Sequence, residues 1–155
     1  MDPTRHLPHR PPLRLLTRVD EVAGDTVRAV GRIPPDAPGV TEEWAPAILG
    51  LELGAQSAAM IAAAAAGAEA RDDDEAPAPR IGYLVSIRSA RFDVPWLPVG
   101  VELEVEARRI GGAAGLELFE VAVTPPGRDR PAVEGVLGTM LTERRVEAAR
   151  EPAKP

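Results

Sequence analysis

The sequence predicts an α+β fold in which an antiparallel sheet of about six strands curls around one long buried helix. Residues 44–67 form an Ala-rich stretch that is apolar on every side, and a helix of that kind belongs in a buried place. The β-like runs are segregated around it, two before and four after, which favours α+β over alternating α/β. The length of 155 residues fits one domain, which we place at residues 1–145, followed by a disordered tail at 146–155.

The two strands before the helix are predicted at residues 15–22 and 26–33. Gly24 and Asp25 lie between them and form a typical β-hairpin signal. Residues 34–40, which read PPDAPGV, predict a loop. This half of the sheet is therefore a hairpin that leads through an irregular segment into the helix.

The central helix is predicted to begin at Pro46, whose missing N–H is harmless at a first helical position, and to run to about Ala66. Gly67 follows as its C-cap. Glu52 and Gln56 stand four residues apart, so they project from one face. Because burying a carboxylate is costly, Glu52 needs either satisfying donors in the core or a function. The helix is too apolar for one sheet alone, and a second copy or a homologue is expected to cover the rest.

Four further strands are predicted after a charged loop at residues 68–79. They span residues 83–92, 101–110, 116–123 and 132–142. The second of them, VELEVEARRI, alternates apolar and charged residues, which is typical of a strand with one buried face. A glycine-rich segment joins it to the third strand and predicts a hairpin. These strands complete the antiparallel sheet.

The composition excludes several classes of function. The chain has no cysteine, so disulfides, thiolate zinc sites and cysteine nucleophiles are ruled out. The net charge of -6 and the scattered basic residues argue against nucleic acid as a partner. The two histidines, His6 and His9, flank a proline and match no usual ligand pattern, so we expect no metal. Glu52 and Gln56 argue against a membrane span, and with no visible signal peptide we expect a cytoplasmic protein.

Three segments carry a family resemblance: LPHRP and LLTRV within residues 7–19, WAPAILGLELGAQ at 44–56, and RSARFDVPWLPVG at 88–100. They resemble, in the same order, the LPHR-P…LLDRV, MPG-x-L-x-x-E-x-M-A-Q and KARF-x-x-PV-x-PGD motifs of the bacterial β-hydroxyacyl-acyl-carrier-protein dehydratases of the FabA/FabZ type. The resemblance covers roughly residues 7–142 and implies a hotdog fold.

The resemblance implies an active site that forms across a dimer. In the family, a loop histidine of one protomer removes the α-proton of a 3-hydroxyacyl thioester, and a carboxylic acid on the other protomer's helix helps the hydroxyl leave as water. Glu52 matches that carboxylate and Gln56 matches the family glutamine, so these are the predicted catalytic residues. The predicted substrate-binding residues are Ala47, Ile48 and Leu49, at the helix start that polarises the thioester carbonyl, and Trp44, as a wall of the substrate site.

The loop before the helix departs from the family. Counting back from Glu52, Pro38 falls near the position of the catalytic histidine, and the segment PPDAPGVTEEW contains none. His9 belongs to the LPHR segment and is not a match. Substitute bases, weak because a solvated carboxylate has a pKa of about 4, would be Asp36, Glu42 and Glu43. The pattern most resembles the dehydratase-like subunits of aryl-polyene systems, which implies a heterodimer that uses a partner's histidine and this chain's Glu52.

The resemblance also implies the partners. They are a histidine-bearing homologue, or a second copy, and an acyl carrier protein that delivers the substrate on 4′-phosphopantetheine, so no cofactor of its own is expected. Arg88 and Arg91 are candidates for the carrier-protein contact, with surface solvation as the alternative. For Trp44 the alternative is packing. Two other functions stay open: a hotdog thioesterase with Glu52 as base or nucleophile, and a non-catalytic partner that stabilises a true dehydratase.

Overall fold

Six strands form one antiparallel sheet with the order β1-β2-β6-β7-β8-β4. The computed structural model describes residues 2–69 and 80–143. The helices are a short 3-10 helix at Pro3–Arg5 and the α-helix α1 at Leu49–Glu69. The strands are β1 (Leu16–Ala23), β2 (Thr26–Gly31), β3 (Trp44–Pro46), β4 (Arg80–Phe92), β5 (Trp96–Pro98), β6 (Leu103–Ala113), β7 (Leu116–Thr124) and β8 (Val133–Glu143). The sheet curls around α1, which confirms the predicted α+β class and the hotdog architecture.

Helix α1 packs on β1, β2, β6, β7 and β8, and two glycines allow it to lie close to the sheet. A Cβ atom on Gly54 would lie 2.7 Å from Cβ of Val121, and one on Gly50 would lie 2.9 Å from Cγ2 of Val133. Both distances are shorter than van der Waals contact, so a larger residue would push the helix away from the strands. Within residues 2–69 and 80–143, no helix has the length and apolarity needed to cross a membrane.

The helix begins later than the sequence predicts. It starts at Leu49 rather than at Pro46, because Trp44–Pro46 is the strand β3. This strand pairs with β5, Trp96–Pro98, in a separate two-stranded sheet. Neither short strand was predicted, since each is defined by a partner far along the chain and not by a local pattern. The proline therefore ends a strand instead of opening the helix.

Two other boundaries differ from the prediction. The helix passes Gly67, which was predicted as its C-cap, and reaches Glu69. Strand β4 begins at Arg80 and has two register shifts against β8, so it bends more than a regular strand. The rest of the predicted loop at 68–79 and the predicted tail at 146–155 lie outside the described residues.

The two edge strands of the sheet have different surfaces. Strand β1 exposes mainly polar and charged side chains, which is how proteins keep an edge from pairing with another chain. On β4 the side chains that are 39% to 53% exposed include five large apolar ones: Tyr83, Leu84, Val85, Ile87 and Phe92. An exposed apolar edge of this length is typical of an interaction surface.

Candidate active site

The start of α1 presents backbone N–H donors at the protein surface. The N–H of Ala47 donates to the carbonyl oxygen of Pro95 at 3.0 Å. The N–H groups of Ile48 and Leu49 have no acceptor within the part of the chain that the structure describes, and Ile48 is 50% exposed. Such N–H groups lie at the positive end of the helix dipole and can polarise a carbonyl oxygen. The sequence predicts that three residues at the helix start bind the substrate. The N–H of Ala47 already has an acceptor, whereas those of Ile48 and Leu49 are free to bind an external oxygen.

Gln56 lies in the second turn of α1 and is only 1% exposed. Its Oε1 accepts hydrogen bonds from the N–H groups of Leu15 at 3.0 Å and Leu16 at 3.1 Å. Its Nε2 donates to the carbonyl oxygen of Leu13 at 2.7 Å and to Oε1 of Glu52 at 2.9 Å. The full hydrogen-bonding capacity of the amide is used. Gln56 therefore ties the segment before β1 to the helix and orients the carboxylate one turn earlier.

Glu52 is half-buried on the same face of the helix, with 31% of its side chain exposed. Its Oε1 accepts the hydrogen bond from Gln56 and lies 3.2 Å from Nε2 of His9. The contact with His9 lowers the pKa of Glu52; partial burial opposes this shift, and the hydrogen bond from Gln56 supports it. The pKa ends below the ordinary glutamate value, so Glu52 is a carboxylate at neutral pH.

His9 reaches Glu52 from the N-terminal segment of the same chain. Its side chain is 32% exposed, and its Nδ1 is buried without a hydrogen-bond partner among the described residues. Leu7 on one side of it is buried, and Leu15 on the other is both buried and bound to Gln56. The imidazole is thus held against the predicted catalytic carboxylate by a segment that is anchored at both ends.

An apolar groove lies beside the helix start, between the loops that carry β3 and β5. It is lined by Thr41, Trp44, Val94, Pro95 and Trp96. Trp44 is 50% exposed and Trp96 is 47% exposed. The carbonyl oxygen of the same Pro95 accepts the hydrogen bond from Ala47, so one lining residue of the groove contacts the segment just before the helix. Trp44 therefore lies on the surface of this chain, next to the helix start, and not in its core.

The two arginines predicted to contact a carrier protein lie on β4 and are both exposed. The guanidinium of Arg91 forms an ion pair with Glu134 on the neighbouring strand β8. Arg88 has no ion-pair partner within the described residues. The charge of Arg88 is accordingly the more available of the two for an external anion.

The acidic side chains of the loop before β3 stand apart from this site. Asp36, Glu42 and Glu43 are exposed, and no contact among the described residues joins them to Glu52. In the described ranges, three or more His, Asp or Glu side chains nowhere come together as metal ligands would. The geometry therefore centres on Glu52, Gln56 and His9.

Comparison with known protein families decides the membership of the chain. The family model described as ApeP-like, ApeP dehydratase, matches residues 1–150. The chain belongs to this dehydratase family. The dehydratase resemblance in the three sequence motifs is thereby confirmed. No curated protein matches the sequence.

Solved structures show the same fold. A chain of the dehydratase heterocomplex ApeI:P from Xenorhabdus doucetiae matches with a TM-score of 0.76 and 22% identity, over 93% of this chain and 93% of that chain. An uncharacterised protein from Pyrococcus horikoshii matches with a TM-score of 0.58 and 19% identity, over 93% and 97%. A hypothetical thioesterase protein with coenzyme A from Streptococcus pneumoniae matches with a TM-score of 0.57 and 9% identity, over 82% and 86%. At these identities the matches establish the hotdog fold alone.

The residue that the sequence did not place at the site of this ApeP-like chain is His9. The LPHR motif marks it as part of a structural segment, and the long separation from Glu52 hides their contact. One indirect signal was present: Gln56 is a buried amide that needs four partners, and the leucines just after the LPHR motif supply the backbone groups. By binding the backbone of this distant segment, Gln56 also places His9, which lies just before the leucines, close to Glu52.

Proposed function

We propose that this member of the ApeP-like family is one subunit of a heterodimeric dehydratase in type II fatty-acid or polyketide (polyene) biosynthesis. Its substrates are 3-hydroxyacyl thioesters on an acyl carrier protein, and the 4′-phosphopantetheine arm of the carrier delivers them. The working site combines Glu52 of this chain with a histidine of a related partner subunit. The dehydratase membership of the family supports the reaction class.

The observation that carries this proposal is the setting of Glu52. Its carboxylate is oriented by Gln56, is partly reachable from solvent, and lies in the first turn of a helix whose start has free N–H groups. In the elimination, the bond from Cα to hydrogen and the bond from C3 to the hydroxyl break, and a C2=C3 double bond forms. The partner's histidine takes the α-proton and passes it to the departing hydroxyl, so the two leave as one water. Glu52 is suited to contact the 3-hydroxyl, and the N–H groups of Ile48 and Leu49 are suited to polarise the thioester carbonyl.

The need for a partner is supported by the loop and by the sheet edge. Residues 34–44 contain no histidine that could remove the α-proton. Strand β4 exposes apolar side chains along an edge that has no neighbouring strand within the described residues. The similar hotdog structure from Xenorhabdus doucetiae is a dehydratase heterocomplex. A second hotdog subunit that pairs along β4 would cover the apolar edge and bring its own loop toward Glu52.

The decisive experiment is to co-express the full chain with a histidine-bearing dehydratase homologue from the same host. Formation of the α,β-unsaturated thioester from a 3-hydroxyacyl carrier protein is then measured for each subunit alone and for the complex. We expect turnover by the complex, and a loss of about 100-fold or more when Glu52→Gln removes the carboxylate. The matched control is Glu104→Gln, which changes an exposed carboxylate on β6 and should leave turnover unchanged.

The two rival functions give different results in the same assay. Release of free thiol by the isolated chain, abolished by Glu52→Ala, would replace the proposal with a thioesterase. Full turnover by a complex that carries Glu52→Gln would reduce this chain to a non-catalytic, stabilising partner. Either result would contradict the composite site.

The partner surface is tested separately by substitutions on the two sheet edges. Val85→Lys or Ile87→Lys on β4 should abolish association, because each would place a charge in an apolar interface. Ala23→Lys, on the opposite edge strand β1, is the matched control and should leave the complex intact. The intact mass of the complex measures both effects. A complex that survives the β4 substitutions would exclude this edge as the interface.

A further inference from the structure

We propose that His9 is a positioning residue for Glu52: it holds Oε1 through Nε2 and leaves Oε2 as the oxygen that meets the substrate. This role rests on the proposed function and extends it, because it assigns the oxygen of the Glu52 carboxylate that contacts the substrate. It also adds His9 to the site, whereas the family motifs place His9 in the LPHR segment and not among the catalytic residues.

The two oxygens of Glu52 have different surroundings. Oε1 accepts the hydrogen bond from Nε2 of Gln56 at 2.9 Å and lies 3.2 Å from Nε2 of His9. Among the described residues Oε2 has no hydrogen-bond donor, and it is not one of the buried atoms that lack a partner. A carboxylate that is held through one oxygen and open at the other presents a single oxygen in a fixed direction. A fixed acceptor oxygen of this kind is what orienting the 3-hydroxyl of the substrate requires.

The surroundings of the imidazole indicate which of its nitrogens carries the hydrogen. Nε2 faces the carboxylate, where an N–H group finds an acceptor. Nδ1 is buried and has no partner among the described residues, so an N–H group there would be an unsatisfied donor. The tautomer with its hydrogen on Nε2 therefore fits the site, because it places the N–H group of His9 toward Oε1, with 3.2 Å between the nitrogen and the oxygen.

The fold holds His9 firmly enough for this role. The segment after it is bound through three backbone groups to the buried amide of Gln56. The segment before it is anchored by the buried side chain of Leu7. Because the same amide also binds Oε1 of Glu52, one buried residue positions both members of the pair. A precise contact is thus built from a connected set of interactions.

The first test follows the carboxylate directly and requires no activity. The side-chain carboxyl of Glu52 is titrated by carbon-13 NMR in the full chain, with Glu52→Gln to assign the signal. We expect the pKa of Glu52 to rise when His9→Ala removes the donor, and to return part of the way in His9→Gln, which restores an N–H group. The matched control is His6→Ala, because His6 is exposed and makes no contact with Glu52. Nitrogen-15 shifts of His9 in the unsubstituted chain should show the hydrogen on Nε2.

The second test measures turnover by the complex with the histidine-bearing partner. His9→Ala should lower kcat about 10- to 100-fold with little change in KM, and His9→Gln should recover part of the rate. An unchanged pKa of Glu52 in His9→Ala, or a hydrogen on Nδ1, would overturn the role of His9. If His9→Ala does not fold, His9→Gln and the nitrogen-15 measurement still decide. Failure of the proposed function would give a different result. The complex would be inactive, but the pKa of Glu52 and the nitrogen-15 shifts of His9 would still be as expected.

Discussion

The first and second turns of α1 each carry one polar side chain, and the fold treats the two in opposite ways. Gln56 is 1% exposed, and its amide forms four hydrogen bonds within the protein. Glu52 stands one turn earlier with 31% of its side chain exposed, and its contacts within the described residues are made through Oε1. Both residues lie on one helix face, yet one of them is closed to solvent and the other is open.

This difference separates a structural role from a chemical one. A buried amide with every donor and acceptor satisfied stabilises the fold, and its removal exposes several backbone groups to an apolar environment. A half-buried carboxylate with one free oxygen adds less to stability and has an atom available for a substrate. Substitution of Gln56 should therefore lower the free energy of unfolding more than substitution of Glu52 does.

The largest expected effect on stability is that of Gln56→Leu. The substitution keeps the approximate size but leaves the N–H groups of Leu15 and Leu16 and the carbonyl of Leu13 without partners. We expect the free energy of unfolding of the full chain to fall by about 3–5 kcal/mol. Chemical denaturation measures this loss.

The control for that prediction is the next residue along the helix. Ser57 is also fully buried, but its hydroxyl donates to the carbonyl of Leu53, which keeps its ordinary helical partner when the hydroxyl is removed. Ser57→Ala should therefore cost less than about 1 kcal/mol. Equal losses for the two variants would show that burial alone, and not hydrogen-bond satisfaction, decides the effect.

A smaller effect on stability is expected for Glu52→Gln. The substitution retains the shape of the side chain and an oxygen that can accept from Gln56, and the second oxygen has no described partner to lose. We expect a change of less than about 1 kcal/mol in the free energy of unfolding at neutral pH, measured by the same denaturation experiment. A loss comparable to that of Gln56→Leu would contradict the distinction between the two turns.

The fold was predictable because its main signals are local. The alternation in residues 101–110, the glycine-rich turn after it and the all-apolar stretch at 44–67 each carry their own periodicity or punctuation. The structure has the corresponding strands β6 and β7 and the helix α1. The apolar surface of that helix is then buried when the sheet curls around it.

The parts that the sequence did not reveal depend on contacts between distant segments. Strands β3 and β5 exist only as a pair, and their pairing moves the helix start from Pro46 to Leu49. The approach of His9 to Glu52 depends on an amide that binds backbone groups some forty positions earlier in the chain, with separations of 40 to 43 residues. No local pattern encodes such a contact, because it arises only when the elements have packed.

The smallest effect is the pH dependence that Glu52 contributes. Contact with His9 places its folded-state pKa below the ordinary value, so folding favours the ionised carboxyl. The resulting stability is fully present above the unfolded-state pKa, about 4.3, and is lost as the pH falls through the lower folded-state pKa. Other carboxylates titrate in both proteins, so the difference in unfolding free energy between the unsubstituted chain and Glu52→Gln isolates this group. That difference should shrink on acidification from neutral pH. A constant or growing difference would mean that the fold does not favour the charge on Glu52.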